Sequence, residues 1–140
     1  MRSLLIFAAA LITAGFAHAE PIVESMNPKT SVIFVSPKDG AKVSSPVKVK
    51  MNVIGMKLRP ADQDPKDKTS GHHHLIIDGG PIPKGQVVPK DETHLHFGQG
   101  QTETEVKLTP GSHTLTLQFA DGSHISYGPG LSQTIHILVK

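Results

Sequence analysis

The residues best equipped for chemistry are histidines, and they come in two knots. Gly71-His72-His73-His74 carries three in a row, and His94-Leu95-His96 follows within twenty-five residues. Along a β-strand, side chains two apart leave the same face, so His72 goes with His74 and His94 with His96. The apolar phase supplies the direction. Leu95 and Phe97 point inward, which turns His94 and His96 outward. Leu75 and Ile77 share the side of His73, which turns His72, His74 and Asp78 the other way. Two H-x-H pairs on adjacent strands bring four imidazoles within reach of one metal ion. His124, in a later loop, adds a fifth candidate, so the expected ligand set is His72, His74, His94, His96 and His124. Neutral imidazole nitrogen suits Cu(II), Zn(II) or Ni(II), and Cu(II) or Zn(II) is the cofactor expected here. Unperturbed imidazole titrates near about pH 6.5, so protons are expected to displace the metal below about pH 6.

The remaining chemistry is thin. Cysteine is absent, which removes thiolate ligands, thiol nucleophiles and disulfides. The serines lack a G-x-S-x-G setting, and Gly98-Gln99-Gly100 opens no helix after a strand. Asp62-Gln63-Asp64 starts like a calcium loop, but Pro65 follows and the glycine and closing glutamate are missing. An H-x-H on a strand also occurs in copper-zinc superoxide dismutases, yet this chain has no cysteine and no evident bridging histidine. The expectation is a binding protein and not an enzyme. Two isolated histidines read as structural. His113 opens a strand after a turn and should bond a loop carbonyl, while His136 lies on a wet face with no ligand role.

The elements that position these residues are strands. Gly and Pro contribute 13 and 11 residues and tryptophan is absent, so the core must come mostly from Val, Ile and Leu. Val47, Val49, Met51 and Val53 alternate with Lys48, Lys50 and Asn52, a strand with one face on a core and one in water. The same period marks 113–119 (Leu115, Leu117, Phe119) and 133–140 (Ile135, Ile137, Val139). Shorter runs cover 31–36, 72–78, 93–97 and 102–108. Pro37-Lys38-Asp39-Gly40, Pro110-Gly111 and Asp121-Gly122 mark turns, and 57–71 and 79–90 read as loops. About seven strands and no helical period predict an all-β fold, an immunoglobulin-like antiparallel β-sandwich, with a small closed barrel as the alternative.

The N-terminus carries an address. Residues 4–17, LLIFAAALITAGFA, follow a single Arg2 and end in Ala17-His18-Ala19, the form of a secretory signal peptide over residues 1–19. That predicts a periplasmic protein with no membrane span once processed, a polar arm over 20–30 and a single domain over 31–140. Cleavage after Ala17 instead would expose His18, whose amine and imidazole can chelate copper. The formal net charge is +2, one less without Arg2, which gives no reason to expect nucleic acid as a partner. A metal ion is the expected partner, with a periplasmic protein as a second. The rival to metal binding is a non-metal module that docks a protein or cell-envelope ligand through a pH-responsive histidine patch.

With these residues in place, the chain resembles an exported bacterial family, domain of unknown function 4399. The strings SPKDGAKVSSPVKVKMNVIGM, GHHHLIIDGG, PKDETHLHFGQGQTE and LTPGSHTLTLQFADGSH carry the resemblance, from about Ser31 to Lys140. It implies export, a compact β-domain, and family histidine positions at His72, His73, His74, His94, His96, His113 and His124. It also implies a second histidine three residues beyond His124, where this chain has Tyr127. No activity comes with the family.

Overall fold

The computed structural model describes residues 29–140. The signal segment, both cleavage options with His18, and the arm through residue 28 lie outside the described residues. Among those described, nine strands form: β1 Ser31–Ser36, β2 Ala41–Val43, β3 Val47–Ile54, β4 Lys57–Leu58, β5 Ser70–Ile77, β6 His94–His96, β7 Glu103–Val106, β8 Gly111–Ala120 and β9 Ser132–Val139. One short 3-10 turn, Pro129–Leu131, precedes β9. No helix of the described residues is long and apolar enough to cross a membrane.

The strands make two sheets. The smaller has the order β1-β3-β7, and the larger runs β2-β9-β8-β5-β4 with β6 also on β5. The chain is all-β, as its period predicts, but the larger sheet is mixed and not purely antiparallel. β2 runs parallel to β9, and β4 parallel to β5. These are also the two strands beyond the expected seven. At three and two residues they are too short to show a period, and each exists because an open sheet edge accepts its backbone.

The alternation places the core where the sequence puts it. Val47, Val49 and Met51 of β3 are buried while Lys48, Lys50 and Asn52 are exposed. They face Leu75 of β5, Leu115, Leu117 and Phe119 of β8, and Ile135, Ile137 and Val139 of β9, with Phe34 and Phe97 filling between. Lys48 and Lys50 reach Glu105 and Glu103 across the outer face of the small sheet, exposed pairs of little energetic weight.

The outer face of the large sheet departs from expectation. β5 is buried along almost its whole length, on both faces, and Thr116, Gln118 and Ala120 of β8 are as buried as their core-facing neighbours. The cause is a third layer. Residues 79–90 cross over β5 and β8 and pair with the segment after Asp121. Val88 N–H donates to His124 O at 2.9 Å, Ser126 N–H to Gln86 O at 2.8 Å, and Gly85 N–H to Ser126 O at 3.0 Å. Buried polar side chains pin it down. Gln118 Oε1 accepts from Ile82 N–H at 3.1 Å, Thr116 Oγ1 donates to Gly79 O at 2.7 Å, and Ser126 Oγ donates to Ile82 O at 2.8 Å. Each bond satisfies a loop group that has no ladder partner.

Candidate metal centre

His72 and His74 lie under that third layer, 0 and 1 % exposed, where their strand phase alone would have put them in water. Both share the face opposite Leu75, as the strand period requires. The solvent was displaced by residues 79–90 and the turn after Asp121.

β6 brings the third ring. Its register sets His96 opposite His74, and His94 opposite Ile76 two rungs further along. Gly98 makes room for His96, because a Cβ there would stand 2.3 Å from its Cε1. The fourth ring comes from the turn between β8 and β9. There the buried Asp121 carboxylate accepts from Ser123 N–H at 2.9 Å and Ile125 N–H at 3.0 Å and pairs with Lys68. This carboxylate-wrapped turn holds His124 at φ +65°, a left-handed backbone uncommon for a residue with a Cβ. The strained conformation aims its ring at the sheet.

The four imidazoles converge. Nε2 of His96 is 3.2 Å from Nε2 of His72 and 3.1 Å from Nε2 of His124. The His72 ring centroid lies 4.7, 4.9 and 5.1 Å from those of His74, His96 and His124. Nitrogens of His72, His74 and His96 all fall within 4.8 Å of one another, a spacing that can hold a metal ion. Nδ1 of both His72 and His74 is buried without a hydrogen-bond partner. Burial, reinforced by the neighbouring His96 and His124, depresses the His72 pKa from 6.5 to about 4. Burial does the same to His74, down to about 2, with the surrounding rings adding to it. His96 is lowered as well, again chiefly by burial. These rings are neutral at pH 7, the form that binds metals.

The other candidates stand apart. His94 shares the face of His96 but turns its Nδ1 to Asp91 at 2.8 Å and Thr93 Oγ1 at 3.1 Å. His73 points the opposite way, into the core beside Phe119, with both ring nitrogens unpartnered. His113 donates to Thr109 O at 2.9 Å through Nε2 and to Asp78 at 2.8 Å through Nδ1, the loop-carbonyl bond its position predicts. His136 is exposed beside Asp39. Tyr127, at the position where the resemblance implies a histidine, donates its hydroxyl to Ser70 O at 2.7 Å. From the sequence alone, Asp121 reads only as part of a turn and Lys68 only as part of a solvated loop. The cue for Asp121 was its place three residues before His124, with a glycine next to it.

Residues 49–140 match the family model for a domain of unknown function, DUF4399. The chain belongs to this family. The matched stretch contains His72, His74, His96 and His124 together with Lys68 and Asp121. Neither the curated proteins nor the solved structures include a match to the chain.

Proposed function

We propose that this DUF4399 domain is a transition-metal-binding protein of the bacterial periplasm. It holds Cu(II) or Zn(II) through His72, His74, His96 and His124, for storage, delivery or sensing. One observation carries the reading: His96 Nε2 meets two other Nε2 atoms, at 3.2 and 3.1 Å. A neutral ring nitrogen has either one hydrogen or one lone pair, so it can satisfy one such neighbour and not both. A cation takes the lone pairs of all three. Metal–nitrogen bonds of about 2.0–2.1 Å put adjacent nitrogens roughly 2.9 Å apart at right angles and roughly 3.4 Å apart at the tetrahedral angle, which brackets the two Nε2 contacts of His96.

Export rests on the leader-like residues 1–19. The two facing sheets, with β1 in one and β2 in the other, support an immunoglobulin-like description of the fold. The histidine cluster supports a binding role, and the reading is of a metal-binding protein. A pH-responsive docking patch would need imidazoles that reach the surface and titrate near neutrality. His72 and His74 do neither. The test is metal analysis of untagged protein purified from periplasm, followed by calorimetry with both metals. A single saturable equivalent is expected, and no saturable heat with either metal rejects the reading.

A further inference from the structure

A cleft reaches the histidine cluster beside the third layer. It has a volume of about 420 Å³, with His74, His96 and His124 at its base. Residues 87–90 form one wall and Asp62 stands in another. His72 sits fully buried behind.

We propose that the bound metal keeps one coordination position facing this cleft, and that the position takes a small anion with Lys90 as its counter-charge. The inference rests on the metal-binding reading above. Its basis is charge. Four neutral imidazoles bring no negative charge, so a divalent ion would keep its full charge in a largely dry site, which is costly without compensation. The carboxylates nearby do not supply it as ligands. Asp121 is committed to Lys68 and to the turn. Asp62 is exposed on the cleft wall and acts on His72 and His96 only through space.

An anion arriving through the cleft supplies the missing charge. Lys90, which also acts electrostatically on His96, adds attraction at the mouth. His74 is 1 % exposed yet contributes to the cleft lining beside His96 and His124, so a metal held by these rings would stand at the cleft. Val87, Val88 and Pro89 give that wall an apolar lining beside the cation. The charge requirement makes a small monoanion the ligand class, and the apolar wall adds contact for one with a short apolar body, such as a short carboxylate.

The test loads the purified protein with Cu(II) and titrates azide, then butyrate, following absorbance and electron paramagnetic resonance. Saturable one-to-one azide binding with a new charge-transfer band is expected. Displacement by butyrate assigns the position to carboxylates, and azide binding that butyrate does not disturb assigns it to inorganic anions. Lys90→Gln should weaken azide by about two- to fivefold, the size of one exposed charge pair, and keep the one-to-one copper stoichiometry. Copper that binds with a spectrum indifferent to azide overturns the open position and leaves the metal site standing. Azide affinity unchanged in Lys90→Gln overturns the counter-charge. Failure of copper to bind removes the metal reading and this inference with it.

Discussion

His96 and His124 place their Nε2 atoms 3.1 Å apart although one sits on a strand and the other on a turn twenty-eight residues later. Two separate devices produce that meeting. The β5–β6 register fixes His96 opposite His74, and the Asp121 carboxylate shapes the turn that presents His124. His96 is the ring both partners share. Its replacement by Ala should therefore cost more metal affinity than the roughly 10–100-fold typical of losing an outer partner. His94→Ala should leave affinity nearly unchanged, because its ring is held by Asp91. Competition titrations with a chromophoric chelator measure both, and a large loss in His94→Ala would move the site toward the mouth of β6.

The difference between those two histidines marks how far the sequence could be read. H-x-H spacing correctly gave His94 and His96 one face. It did not show that Asp91 would capture His94, although Asp91-Glu92-Thr93 carries a local cue. Asp67-Lys68-Thr69 closes in the same way, with the Asp carboxylate accepting from the backbone N–H and the hydroxyl two residues on. Strand phase was legible wherever both faces meet different surroundings, as in β3. It misjudged the surroundings of His72 and His74, because residues 79–90 have no period and their pairing with the turn after Asp121 is long-range. Parallel β2 and β4 were illegible for the same reason.

Acid should destabilise the apo protein well above the range where its carboxylates titrate. His72, His73 and His74 have folded pKa values of about 4, about 4 and about 2, against 6.5 unfolded. Between pH 6.5 and 4 the unfolded chain binds protons that the folded one refuses, so stability is full above that window and falls through it. Each histidine contributes a slope of up to about 1.4 kcal/mol per pH unit. His113 has the opposite sign, since Asp78 and Thr109 O raise its pKa, and its contribution is lost as pH rises through that raised value. Urea denaturation at pH 7.5, 5.5 and 4.5 should show a midpoint that falls with acid, more steeply in apo than in metal-loaded protein. A flat profile would place these rings in water.

The same burial moves the metal's acid limit. Proton competition near pH 6 is the expectation for free imidazole, but rings that refuse protons until about pH 4 keep their lone pairs available. Metal should be retained at pH 5.5, with release completed at lower pH as the fold weakens. Dialysis at stepped pH followed by metal analysis reads this directly. Release centred above pH 6 would contradict the buried geometry.

Asp121 should couple stability to metal binding. Burial works against its ionisation, yet Lys68 and the Ile125 and Ser123 N–H groups hold its pKa below the ordinary 3.8. Asp121→Ala leaves those two donors without their carboxylate and should cost about 2–4 kcal/mol, at the level of broken buried networks. Asp121→Asn keeps one acceptor oxygen and should cost less. Both should weaken metal binding through His124, and adding His124→Ala to Asp121→Asn should produce little further loss of affinity. Additive losses in that double variant would mean that Asp121 acts through the fold alone.

Gly98 offers the sharpest separation of site from scaffold. The three heavy atoms nearest a Cβ at position 98 all belong to the His96 side chain, with Nε2 at 2.7 Å, and a side chain can turn away where backbone cannot. At Gly71 the same added atom would fall inside the Ala120 carbonyl, where backbone must move. Gly71→Ala should therefore prevent folding or cost several kcal/mol, as overpacked sites do. Gly98→Ala should fold with a change of about 1 kcal/mol or less, because a side-chain rotation relieves the contact. Its cost should appear in the metal instead, since a rotated His96 loses its approach to His72 and His124. The expected result is a native-like melt with weakened Cu(II) binding and an altered electron paramagnetic resonance spectrum. A native-like melt with wild-type copper affinity and spectrum would remove His96 from the ligand set.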